Sequence, residues 1–123
     1  STYQNLLDTI NAYADAIGIS VTCFQSNHEG EIVDCIQSAY GNYDGIVINP
    51  AAYTHTSVAI LDALKAVSLP AVEVHISDVD GREAFQQISN TALACQKTIK
   101  GQGLDGYCQA MAYLQENLKN SGC

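Results

Sequence analysis

A doubly wound α/β domain, a parallel sheet with helices on both faces, is the fold class the sequence predicts. One observation is Ile46-Val47-Ile48, an unbroken β-branched run of the kind buried on both faces of a parallel sheet. Another is the regular exchange of such runs with stretches of helical spacing, which asks for parallel strands joined by right-handed crossovers. A third is Asn49-Pro50, which stops the run and gathers Asn49, Tyr53, Thr54, His55 and Thr56 past its carboxyl end, the edge at which open α/β sheets bind ligands.

Taken in order, Ser1-Thr2-Tyr3-Gln4 reads as a capping box. Leu6, Ile10, Tyr13 and Ile17, with Leu7 and Ala14, then form a helical apolar face that ends at Gly18. Ile19–Phe24 is expected as a strand, and Gln25–Gly30 as a polar connection into a second amphipathic helix carrying Ile32, Val33, Ile36 and Tyr40. After the Gly45–Asn49 strand comes a third helix, about Ser57–Val67, with Val58, Leu61 and Leu64 on one side and Asp62 on another; Pro70 marks its end. Ala71–Ile76 is a further strand, Ser77–Gly81 a polar loop, and Arg82 opens a short helical segment. An extended piece near Cys95–Ile99, the turn Gly101-Gln102-Gly103 and a closing helix at about Leu104–Leu118 complete the chain. Residues 1–123 form a single domain by length.

This order starts on a helix, whereas a doubly wound domain starts on a strand. In the flavodoxin-like order 2-1-3-4-5 the first strand lies between the second and third. The three-layer α/β/α sandwich expected here therefore lacks its first strand, and Ile19–Phe24 and Ile46–Asn49 face a gap whose unpaired backbone groups cost ~1–3 kcal/mol each. The strand is expected outside these residues or supplied from elsewhere.

Composition excludes several classes. Thirteen acidic residues against five basic ones leave a charge of −8, which repels phosphate backbones and anionic lipid, so neither nucleic acid nor a membrane is the expected partner. No apolar stretch approaches the ~20 residues of a membrane span, and no basic-headed signal peptide is present, so the expected compartment is cytoplasmic. The five cysteines, Cys23, Cys35, Cys95, Cys108 and Cys123, contain no C-x-x-C pair and read as reduced, mostly buried thiols. A G-x-S-x-G elbow and a Walker lysine are both missing, and His28, His55 and His75 have no metal-ligand spacing.

Glu73 and His75 stand two apart on a strand and so share a face at its carboxyl end. A carboxylate placed there holds an imidazole in one tautomer and tunes it as a general acid or base; a structural pair on an edge strand is the alternative. His55 fits either substrate hydroxyls or a cap on the next helix, and Thr54 or Thr56 fits the cap as well.

Four segments carry a resemblance. Gln25-Ser26-Asn27-His28-Glu29-Gly30-Glu31, Ile48–Ser57, Glu73-Val74-His75-Ile76-Ser77 and Arg82-Glu83-x-Phe85, with Gly101-x-Gly103 and Gly106-Tyr107 behind them, closely resemble the type II 3-dehydroquinate dehydratases. The resemblance runs in register through essentially the whole chain. It implies a flavodoxin-like subunit, a dodecamer built as a tetramer of trimers, and a cofactor-free, metal-free anti elimination of water from 3-dehydroquinate through an enolate. In that family a lid tyrosine, with a nearby arginine, removes the C2 proton and a histidine protonates the departing C1 hydroxyl.

By position the resemblance makes His75 that acid, Glu73 its orienting carboxylate and Asn49 the holder of the water or oxygen that stabilises the enolate. It has the Ile76 and Ser77 amides and the Ser77 hydroxyl bind the substrate carboxylate, and His55 the ring hydroxyls. Asp62 reaches a neighbouring subunit's site, and Arg82 matches the arginine associated with the lid tyrosine. The family's Pro-Asn-Leu-Asn loop and its Arg…Tyr lid belong ahead of Ser1. Asp78 stands where the family has Asn, and Gln86 where it has an arginine that contacts substrate hydroxyls. The expectation is a dehydratase of the shikimate or quinate pathway; a non-catalytic oligomeric or ligand-binding relative is the alternative.

Overall fold

A computed structural model describes residues 3–49, 58–75 and 95–121 of the chain. Its elements are α1 (Tyr3–Ile17), α2 (Glu29–Ser38), β1 (Ile46–Ile48), α3 (Val58–Val67), β2 (Ala71–His75), β3 (Lys97–Lys100) and α4 (Asp105–Ser121). The strands pair in parallel in the order β1-β2-β3, with Ile48 opposite Glu73 and His75 opposite Lys100.

Side-chain alternation divides the core between the two faces of this sheet. On one face Ile36 of α2 and Ile60, Ala63, Leu64 and Val67 of α3 close over Ile48 and Ala71. On the other, Ala110 and Leu114 of α4 cover Val72, Val74 and Ile99, and α1 packs beside α4 through Ile10, Ala14, Cys108 and Met111. The result is the three-layer α/β/α arrangement that the alternation of runs predicts. One close approach sets the spacing of α4: a Cβ built on Gly106 would stand 3.0 Å from Val74 Cγ1, so any side chain here would have to push the buried Val74 aside.

α1 stops where its pattern predicts. Gly18 takes φ 78°, its N–H donates to Asp15 O at 3.3 Å and that of Ile19 to Ala14 O at 3.0 Å, a pair of bonds that satisfies the last carbonyls of the helix. α3 ends on a left-handed residue too, Ser68 at φ 55°, two residues before Pro70.

Several expectations are corrected. Ile19–Phe24 is not a strand: among the described residues no strand pairs with it, and β-branched composition without a ladder partner does not make one. Ile19 and Val21 instead pack beside the α1–α4 cluster. β1 is not buried throughout: among the described residues it pairs with β2 alone and, of its three residues, only Ile48 is buried. α2 begins at Glu29, inside the expected connection, and Tyr40 lies beyond its end at 70% exposure. Val58 is 59% exposed, because the buried side of α3 runs through Ile60, Ala63, Leu64 and Val67. Of the four described cysteines only Cys108 is buried. The Ser1–Gln4 capping box, the Ser77–Gly81 loop and the helix from Arg82 involve residues outside those described. Among the described residues no helix is long and apolar enough to cross a membrane.

Candidate active site

The central strand ends at His75, and the amide of Gly101 anchors that end by donating to the His75 carbonyl at 3.2 Å. Alternation turns Glu73 and His75 to the same side, and the two side chains meet: His75 Nε2 lies 2.5 Å from Glu73 Oε2. The Glu73 side chain is 0% exposed and that of His75 8%. Removing a carboxylate from water to this depth costs on the order of several kcal/mol, which its bond to the imidazole offsets in part. The carboxylate also fixes the ring through Nε2 and leaves Nδ1 as the nitrogen placed to exchange a proton with a bound molecule.

Cys95 lies near the same carboxylate. Burial first, and the negative charge of Glu73 second, push its thiol up to about 12. It is therefore protonated at neutral pH, and a protonated thiol is a poor nucleophile.

Asn49 follows β1 directly and, by the register, stands level with Val74, one step short of His75 along the same sheet edge. Its Nδ2 donates to the phenol oxygen of Tyr107 at 2.9 Å. Tyr107 belongs to the first turn of α4, and its ring packs against the two apolar clusters on that face. Burial raises the pKa of the phenol and the bond from Asn49 lowers it by less, so the group is neutral near pH 7. Glu73 and His75 alternate with Val72 and Val74 and so take the α2/α3 side, while Asn49 is held from the α4 side. The candidate groups thus flank the carboxyl edge of the sheet from both faces.

Together these are a carboxylate-held imidazole and an oriented amide at adjacent strand ends, suited to proton transfer beside a developing oxyanion. The model of the family described as Dehydroquinase class II matches residues 1–115. The chain belongs to the class II dehydroquinases. It is 48% identical over 119 residues to the 3-dehydroquinate dehydratase of Clostridium perfringens strain SM101, a match covering 96% of this chain and 82% of that one. The type II dehydroquinase of Butyrivibrio crossotus is similar in structure, with a TM-score of 0.90 and 53% identity over 94% of this chain and 81% of that chain. That of Propionibacterium acnes follows at 0.88 and 35%, covering 94% and 85%.

Within this class II dehydroquinase chain, Glu73, His75 and Asn49 gather at one sheet edge. Asp62 does not join them: it sits on the exposed side of α3, away from the core residues of that helix. His55, Ile76, Ser77 and Arg82 lie outside the described residues, as do Asp78 and Gln86. Tyr107 is the neighbour that sequence reasoning does not place. A tyrosine ring at a core-facing helical position signals a hydroxyl in need of a partner, but nothing in the sequence points to an asparagine 58 residues away.

Proposed function

We propose that this chain is a 3-dehydroquinate dehydratase, a hydro-lyase that eliminates water from 3-dehydroquinate to give 3-dehydroshikimate through an enolate. The observation that carries the reading is the buried Glu73–His75 pair at the carboxyl end of β2 in a chain of this family. The elimination needs two proton transfers, removal at C2 and delivery to the C1 hydroxyl, and His75 suits the second. Held by Glu73, the ring protonates the C1 oxygen as the C1–O bond breaks, and the electron pair of the enolate forms the new C1–C2 double bond. Asn49 stabilises the negative oxygen of the enolate, directly or through a water. No step calls for a cofactor or a metal ion.

The remaining roles extend this reading. The Ile76 and Ser77 amides with the Ser77 hydroxyl take the substrate carboxylate, His55 takes ring hydroxyls, and Arg82 acts with the lid tyrosine. Asp62, exposed on α3, serves a neighbouring subunit in a dodecamer of four trimers. Residues 1–123 act as one domain of a cytoplasmic enzyme, in the shikimate pathway or in quinate catabolism.

The test is to incubate the full-length protein with 3-dehydroquinate and a chelator and follow the conjugated enone of the product in the ultraviolet. Turnover indifferent to the chelator is expected. A folded assembly that leaves the substrate unchanged marks a non-catalytic relative instead, and turnover abolished by the chelator overturns the metal-free reaction.

A further inference from the structure

Tyr107 shares its helix turn with Gly106, the residue that lets α4 approach Val74, and its hydroxyl meets the Asn49 amide at the end of β1. The ring fills space between two apolar clusters, which phenylalanine would do equally well. The hydroxyl is the part that packing does not require, since a buried polar group is tolerated only where it is hydrogen-bonded. Among the described residues β1 is three residues long, and Asn49 lies just beyond its last ladder position, where its side chain is fixed by what it touches rather than by the strand. An asparagine amide turns readily about its last torsion, and half a turn exchanges its donor for its acceptor. A group that stabilises an enolate oxygen must present one end of that amide at the moment the charge appears.

We propose that Tyr107 is a positioning residue for the dehydratase reaction: its hydroxyl, carried to the sheet edge by the Gly106 turn, fixes the plane of the Asn49 amide. This inference rests on the reading of the chain as a 3-dehydroquinate dehydratase. Tyr107 touches neither substrate nor reacting atoms and acts through Asn49 alone. Its removal therefore slows the chemical step and leaves substrate affinity in place.

The experiment is a double-mutant cycle on the full-length enzyme with 3-dehydroquinate, using Tyr107→Phe, Asn49→Ala and the pair. Tyr107→Phe is expected to lower kcat about tenfold, the worth of one oriented hydrogen bond, with KM changed less than about twofold. In the Asn49→Ala background the same substitution is expected to cost nothing further. A Tyr107→Phe enzyme with unaltered kcat overturns the proposal. So does a full tenfold loss on top of Asn49→Ala, because the hydroxyl would then act independently of the amide. Absence of turnover in the unmutated protein strikes at the dehydratase reading itself, so the two failures are told apart by the first measurement.

Discussion

β2 and β1 end side by side and hold their polar residues by different means. β2 is paired on both edges, all five of its residues are buried, and the two groups at its end are held by each other. Among the described residues β1 is shorter and partly exposed, and the amide beyond it bonds to a tyrosine on α4. The difference teaches where precision comes from in this sheet. On β2, alternation along one strand is enough to bring a carboxylate to an imidazole, whereas past the end of β1 a helix supplies the contact.

Stability measurements sharpen that contrast. Glu73→Ala removes a hydrogen-bonded group at 0% exposure and leaves a void in the central strand, so a loss of about 2–4 kcal/mol is expected. Asn49→Ala, at the half-buried end of β1, is expected to cost about 1 kcal/mol. Urea unfolding of both variants at pH 7 checks the order. Equal losses would erase the distinction between the two strand ends.

A smaller effect concerns Cys95 beside Glu73. Its thiol is held up at about 12 against an ordinary 9.0, so the folded state keeps a proton there that the unfolded chain gives up. The sign follows: the folded state binds more protons between those values, and stability present below about pH 9 is lost as the pH rises toward about 12. At pH 8 iodoacetamide is expected to label Cys23, which is exposed, well before Cys95, as peptide mapping would show. Equal labelling of the two in the folded protein would mean that burial and the neighbouring carboxylate together do not hold the Cys95 thiol back.

How much of this was legible in the sequence follows the same division. Glu73-Val74-His75 declared itself because the contact lies within one strand, two residues apart, and α1 did so because its apolar spacing and Gly18 are local signals. Asn49 was legible as a residue past a strand end, but its Tyr107 partner was not, since no local rule links positions 58 apart. Ile19–Phe24 has the composition of a strand and no ladder, because composition does not say whether a neighbour is there to pair with. Val58 misled for another reason: in a helix of only ten residues, a one-residue choice of apolar face moves a side chain from core to solvent.

The central claim is that the imidazole held by Glu73 delivers the proton to the leaving hydroxyl. It is tested most directly by kcat of His75→Ala on 3-dehydroquinate, measured on protein whose near-ultraviolet circular dichroism matches the unmutated enzyme. A loss of about 10²–10⁴-fold, the usual worth of a general acid, is the expected result. A folded His75→Ala enzyme within about threefold of the unmutated rate would contradict it.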